Sequence, residues 1–425
     1  MKTLADIAAA LPGFDPGNLR PEHASAFIAQ LARPVAATES LPLPQALGRV
    51  LARDVAAPHP VPPHDNAAMD GYAFDGAALR PGQPLMLRVT GTALAGKPWA
   101  DRTAPGECVR AMTGAVMPPG LNTVVPQEQV AVQGGCITIP PHAVRPGDHR
   151  RRAGEDLARG QTALSKGELL APAALGLAAS LGLETLSVTR RLRVALLSTG
   201  DEIMPLGEPL RAGAVYDSNR YALHGLLARL GVEVLPLGAV PDRPEALAAA
   251  LRQAADAGAD AILTSGGMGA GDADHTRRVL AQVADMAFWQ LAIRPGRPFA
   301  VGRMHGSGCL LFGLPGNPVA AMVAFTLLVR PALLRMMGAR VPPPLLLRAR
   351  MLDAFATKRP GRTEYPRGIA STAPGGRLQV QTTGPQGSAL LGAMARANCL
   401  IVLPHDGGPA GPGDEVDVML FDGVM

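Results

Sequence analysis

Three short stretches gather glycines, backbone amides and oxygen donors: Ser198-Thr199-Gly200-Asp201-Glu202, the run 265–274 (SGGMGAGDAD), and Gly313-Leu314-Pro315-Gly316-Asn317-Pro318. Glycines at 266, 267, 269 and 271 let an anion approach main-chain N–H groups ahead of a helix that the pattern starts near Asp274. No Gly-Lys-Ser/Thr follows them, so the run is not a P-loop. Glu202 and Asp274 stand beside these loops, where hard oxygen ligands suit Mg²⁺ held against phosphates. On pattern alone the plainer readings stay open: Glu202 as a solvated loop residue and Asp274 as a helix N-cap.

The cations complement them. Residues 291–298 (LAIRPGRP) place Arg294 and Arg297 around a Pro-Gly turn, spaced to clamp a tetrahedral oxyanion through guanidinium forks. Residues 358–367 (KRPGRTEYPR) form a second basic turn. Each also reads as a charged surface turn. Only Lys2, Lys97, Lys166 and Lys358 are lysines, so an anion site here is built mainly from arginine. No histidine lies at metal-ligand spacing from a cysteine or another histidine, and there is no Gly-x-Ser-x-Gly elbow, which leaves zinc and serine-hydrolase chemistry without a signal. The stretches 66–73, 112–115 and 150–156 read from composition as turns.

The elements needed to position these groups can be traced. Ala24, Phe27, Ile28 and Leu31 share a helical face, and a second short helix is expected over Pro44–Asp54. From about His59 to Asp156 the texture is that of an all-β insert, with strands at Pro84–Thr90 and Cys136–Ile139. Strands then alternate with helices. Arg193–Leu197 is followed by a helix capped by Asp217 and running to about Leu230, and Val232–Leu237 by a helix capped by Asp242. Ala261–Thr264 and Cys309–Phe312 are further strands, with Asn317 as cap and Pro318 at the first position of a last helix. This order implies a mostly parallel, doubly wound sheet whose ligands sit beyond the strand carboxyl ends, where all three loops fall. After Gly338, runs at Leu345–Leu352, Arg377–Gln381, Cys399–Leu403 and Val416–Leu420 predict a small β domain.

Bulk properties set the frame. A chain of 425 residues exceeds one core and suggests two to four domains. Net charge of +5, without a dense basic run or interleaved aromatics, gives nucleic-acid binding little support. The four scattered cysteines read as reduced, mostly buried thiols of a cytoplasmic protein. Asp6 interrupts the N-terminal apolar stretch, and the run Pro318–Val329 falls short of the ~20 residues of a span, so a soluble protein without membrane contact is expected.

Taken together and in order, the motifs resemble the molybdopterin molybdenumtransferases (the MoeA and gephyrin E-domain family). The matching stretches are DNAAMDGYA at 65–73, MTGAVMPPG at 112–120, RRAGEDL at 151–157, STGDE at 198–202, YDSN at 216–219 and SGG at 265–267 with Asp274. AFWQLAIRPGRPFAVG at 287–302, GLPGNPVA at 313–320, GRTEYPRG at 361–368 and QGSALL at 386–391 complete the series. The resemblance runs from about residue 20 to the C-terminus. It implies a multidomain α/β plus β protein. A MogA-like doubly wound α/β domain would take 1–37 and 190–340, and an elongated linker domain 38–58 and 158–189. An inserted β lid domain would take 59–157, and a C-terminal β-barrel 341–425.

The implied activity is insertion of molybdenum from molybdate into adenylylated molybdopterin, with Mg²⁺ and release of AMP. The implied assembly is a homodimer whose active site is shared between subunits, with a MogA-like adenylyltransferase and molybdoenzymes as further partners. By the same resemblance Asp70, Thr113 and Asp156 are functional residues of the lid. Glu202, Asp242 and Asp274 become the carboxylates of the crevice and candidate Mg²⁺ ligands. Ser265, Gly266, Gly267, Pro315, Gly316, Asn317 and Pro318 line the substrate, and Arg294, Arg297, Arg362, Arg367 and Ser388 gather the oxyanion. The chain departs from the family's usual residues at Gly269 (Ser), His275 (Tyr), Arg294 and Arg297 (Lys) and Cys399 (Gly). A molybdopterin adenylyltransferase, a non-catalytic gephyrin-like scaffold and a divergent paralogue are the competing readings.

Overall fold

A computed structural model of the chain describes residues 3–266, 273–340, 342–422 and 425, with the side chains of 273–275 excepted. Its centre is a six-stranded sheet built from β1 (Arg193–Thr199), β2 (Glu233–Val240), β3 (Ala261–Ser265), β4 (Ala284–Gln290), β5 (Pro298–Met304) and β6 (Leu310–Leu314). The order across the sheet is β2-β1-β3-β6-β5-β4. The first four strands in that order are parallel, and β5 and β4 add an antiparallel edge. The β5–β4 hairpin was not anticipated from the sequence.

Both faces of the sheet are covered, and the strands alternate accordingly. Val194, Leu196, Leu263 and Phe312 face a core shared with helices α1 (Pro21–Leu31), α2 (Ser218–Arg229) and α5 (Pro318–Met336). Ala195, Leu197, Ile262 and Leu311 face the opposite core, under α3 (Pro244–Asp256) and α4 (Ala273–Val283). Helix α5 is 19 residues long and apolar enough to cross a membrane by length and composition, more than the run of residues suggested. It is a core helix: 72% of its apolar window is buried inside the molecule.

Helix α1 joins this core from far away in sequence. Phe27, Ile28 and Leu31 are at most 2% exposed, and each such burial contributes about 1.5–3 kcal/mol. Phe27 meets Trp289 of β4 edge to face at 5.0 Å, and the Leu19 amide donates to the Gln290 carbonyl at 2.8 Å.

Three further units surround the α/β domain. Thr38–Pro42 pairs antiparallel with Thr185–Thr189 over a small core that includes helix Pro172–Ser180. The expected helix over Pro44–Asp54 is a single 3-10 turn, Leu43–Gln45. Gly48 beyond it takes φ +71°, and Val50 and Leu51 form β-bridges instead. The insert is a second six-stranded sheet, and Gly71–Phe74, read from composition as a turn, is one of its buried inner strands. The C-terminal region closes a five-stranded barrel that includes Arg367–Thr372, a strand missed in sequence.

Candidate functional site

The strand ends of β1, β3 and β6 converge on one cleft of about 1030 Å³, lined by Thr199, Glu202, Ser265, Gly266, Pro315 and Gly316 among others. Its opposite wall carries Arg294, Arg297, Arg362 and Ser388. Eleven of the expected residues therefore share one space: Glu202, Ser265, Gly266, Arg294, Arg297, Pro315, Gly316, Asn317, Pro318, Arg362 and Ser388.

The floor is held by polar groups of the 198–202, 216–219 and 265–266 segments, among them Asp217, which the sequence marked as a helix cap. Asp217, 1% exposed, caps α2 by accepting from the Arg220 amide at 3.1 Å, and it also accepts from Ser198 Oγ at 2.9 Å. Asn219 Nδ2 donates to both Ser265 Oγ and the Gly316 carbonyl, each at 2.6 Å, which ties the end of β3 to the loop after β6. Thr199 Oγ1 and Asn219 Oδ1 are buried without a hydrogen-bond partner among the described residues. Unmet polar atoms of this kind at a cleft floor await a ligand or water.

Glycine geometry fixes the loops. Gly266 takes φ +102°, and a Cβ there would collide with the Thr199 carbonyl oxygen. We expect Gly266→Ala to cost about 2 kcal/mol or more, because strain and overlap combine, whereas Gly207→Ala, in open space at φ +93°, should cost about 1 kcal/mol. Denaturant midpoints of the two variants compare them directly.

The wall is set by the junction with the barrel. Ile293–Arg294 pairs in parallel with Thr363–Glu364, and the Tyr365 amide donates to the Arg294 carbonyl at 2.8 Å. Arg362 Nε donates to Glu364 Oε1 at 2.9 Å, and Arg294 lies 3.7 Å from Glu364 Oε2. No carboxylate pairs with Arg297 among the described residues. Asn317 starts α5, but its side chain makes no cap. Its amide instead donates to Ser388 Oγ at 3.0 Å, while the Val319 amide donates to the Ser388 carbonyl at 3.1 Å. A loop of the barrel is thereby fastened to the first turn of α5, whose start still lines the cleft.

Other expected residues lie elsewhere. Arg367 is 0% exposed and stands behind the wall. Its guanidinium donates to the carbonyls of Pro385, Gln386 and Gly387 at 3.0–3.2 Å, so it shapes the loop bearing Ser388 and does not line the cleft. Burial, with the charge of Arg294 second, lowers its pKa to about 10. Asp242 does not line the cleft, and α3 begins at Pro244 with Arg243 at its cap position. The Asp242 amide donates to Asp201 Oδ1 at 3.1 Å beside the 200–202 loop.

Asp70, Thr113 and Asp156 belong to the insert and its edge, off this chain's cleft. The Asp70 carboxylate accepts from Thr113 Oγ1 at 2.6 Å and from its amide at 2.7 Å, which holds the Asp70 pKa below the usual carboxylate range. Gly267, Gly269 and Gly271, and the side chains of Asp274 and His275, lie outside the described residues. The four cysteines are off the cleft, and burial raises Cys108 and Cys309 to about 12 and Cys399 to about 11, which leaves these three protonated.

Among the described residues no cluster of three or more metal-ligating side chains occurs. Among the described residues Glu202 is the cleft's one carboxylate facing solvent, and with the unpaired Thr199 hydroxyl nearby it fits a Mg²⁺ ion held largely by phosphate and water rather than by a protein cage.

A parallel-sheet crevice with an arginine wall and a helix N-terminus, flanked by an inserted β domain and a barrel, defines a multidomain α/β protein with a cleft whose cations suit an anion. Comparison with known proteins makes the class specific. Residues 19–182 match the MoeA N-terminal region (domain I and II), 195–335 a "probable molybdopterin binding domain", and 348–421 the MoeA C-terminal region (domain IV). A molybdopterin molybdenumtransferase of Haemophilus influenzae is 39% identical over 395 residues, covering 91% of this chain and 95% of that protein. Molybdopterin molybdenumtransferase 2 of Mycobacterium tuberculosis is 38% identical, covering 89% and 94%. The crystal structure of a molybdopterin biosynthesis moeA protein from Pyrococcus horikoshii superposes with a TM-score of 0.80 at 27% identity, covering 95% of this chain and 100% of that one. The chain belongs to the MoeA family.

Proposed function

We propose that this chain is a molybdopterin molybdenumtransferase that inserts molybdenum from molybdate into adenylylated molybdopterin and releases AMP. One observation carries the reading: Glu202 and the arginines 294, 297 and 362, from segments distant in sequence, border a single cleft. Molybdate is a dianion, and convergent guanidinium groups hold it before it meets the dithiolene. The α5 N-terminus, the loop after β1 and the carboxyl end of β3 with Gly266 receive the phosphate-bearing part of the substrate. Glu202 would hold Mg²⁺, which neutralises phosphoanhydride charge as AMP departs. The sulfur ligands of molybdenum come from the pterin, in keeping with protonated, buried cysteines.

The site is completed in a homodimer, by the reading we favour, with the partner subunit's inserted domain presenting its lid carboxylates over the cleft. Mg²⁺ dependence, the dimer, a cytoplasmic location and handover from an adenylyltransferase to molybdoenzymes are parts of this proposal.

The direct test is incubation with adenylylated molybdopterin, molybdate and Mg²⁺, followed by assays of AMP and of reconstituted molybdoenzyme activity. Absence of both products would remove the reading. Arg294→Ala/Arg297→Ala is expected to weaken molybdate binding by about 10²-fold and to flatten its salt dependence, read by calorimetry across ionic strength. Unchanged affinity would take these two arginines out of the site.

A further inference from the structure

Glu364 has the burial of a core residue and the neighbours of an active-site residue. It is 1% exposed, and its two carboxylate oxygens face two different cleft arginines. The contacts are unequal. Arg362 Nε makes a hydrogen bond of 2.9 Å, while Arg294 at 3.7 Å is beyond hydrogen-bond range and 45% exposed. The carboxylate cannot follow either arginine outward. Its main chain is locked by amide bonds exchanged with Leu403 at 3.0 and 2.9 Å, and by the strand pairing of 363–364 with 293–294.

Without an anion in the cleft, Arg294 and Arg362 repel each other across a partly desolvated wall, and a carboxylate placed between them relieves this. Lys358, 2% exposed and bonded to the carbonyls of Arg359 and Gly407, adds a third positive charge to the surroundings of Glu364. Glu364 thus holds one arginine firmly and the other loosely, with Arg297 beside them unheld by any described carboxylate.

We infer that Glu364 is a positioning residue for the proposed reaction. It fixes Arg362 for the incoming tetrahedral oxyanion and acts as the internal counter-ion that Arg294 exchanges for it. The inference rests on the transferase reading and adds a partner-exchange step on the protein side. Because Glu364 competes with the oxyanion for Arg294, it holds affinity down and keeps the anion transferable to the dithiolene. A merely structural carboxylate would have the opposite signature, since its loss would loosen the wall and weaken binding.

The test measures molybdate dissociation constants by calorimetry for the wild-type full chain, Glu364→Gln, Arg294→Ala and the double variant, with sulfate as a second tetrahedral dianion. Glutamine keeps an acceptor for Arg362 Nε and removes the competing charge. Glu364→Gln is expected to tighten molybdate about tenfold. That gain should vanish in the Arg294→Ala background, and the apparent KM for molybdate should fall without a rise in kcat. Weaker binding by Glu364→Gln, or equal tightening with and without Arg294, overturns the inference. If the Gln variant is not recovered folded, Glu364→Asp gives the same sign, because a carboxylate drawn back by one methylene loses the distant Arg294 first. Wild-type protein that binds neither anion removes the transferase reading together with the inference. Wild-type binding without tightening removes the inference alone.

Discussion

Glu202→Gln should slow molybdenum insertion by about 10²–10³-fold in single turnover while leaving the unfolding midpoint unchanged. The two halves of this expectation have different physical origins. Glu202 is exposed, and its carboxylate makes no hydrogen bond or ion pair with the described residues, so the folded state loses no contact when its charge goes. Its position beside the cleft is set by the turn at Gly200. A Cβ on Gly200, which takes φ +145°, would lie 2.5 Å from Glu202 Oε2, so the carboxylate folds back over a residue that has to be glycine. An exposed carboxylate that lines the cleft and pairs with no described residue is open to a ligand. The amide variant keeps the shape and removes the charge, and its rate should no longer respond to Mg²⁺ in the millimolar range. A variant turning over at the wild-type rate with an unaltered Mg²⁺ profile would falsify the metal role of Glu202.

The second large effect is a recovery rather than a loss. Asp70→Ala and Glu202→Gln should each be nearly inactive as pure proteins, yet co-expressed with different tags they should regain about a quarter of wild-type activity. Random pairing makes half the dimers mixed, and each mixed dimer carries one site with neither substitution. The expectation comes from placement. Asp70 and Thr113 are bonded to each other on the insert and absent from the cleft of their own chain, so they act on a cleft only if another subunit brings them there. Thr113 keeps Asp70 ionised to lower pH than an ordinary carboxylate. Its contribution is therefore present at neutral pH and fades as the pH falls through that lowered value. Mixed dimers purified through both tags that stay inactive would place the lid carboxylates outside the reaction.

What the sequence revealed and what it hid divide along physical lines. Helix α1 was legible because Pro21 opens it and four apolar residues at helical spacing close onto one core. Asp217 was legible as a cap because its bond to the Arg220 amide is local. Asn317 misled because the same kind of side chain found a partner 71 residues away in Ser388, and no local rule weighs a tertiary acceptor. Arg367 misled in a related way. Its charge suggested an anion, but barrel closure buried it against three carbonyls, and carbonyl oxygens supplied by the fold leave no mark on composition. Glu364 and Asn219 were present in quoted motifs without a role, because their importance lies in joining segments that only the fold brings together. The 284–304 hairpin escaped since its first strand follows α4 directly, with no intervening turn residue to mark the change.

The docking of α1 against Trp289 also constrains the order of events on the ribosome. Leu19 hydrogen-bonds to Gln290, about 270 residues later, so at roughly 5–20 residues per second the apolar face of Phe27, Ile28 and Leu31 stays unsheltered for on the order of 15–55 s. During that interval the insert can mature on its own sheet while the N-terminal segment waits. Nascent chains stalled before Trp289 should therefore be the ones that engage holding chaperones.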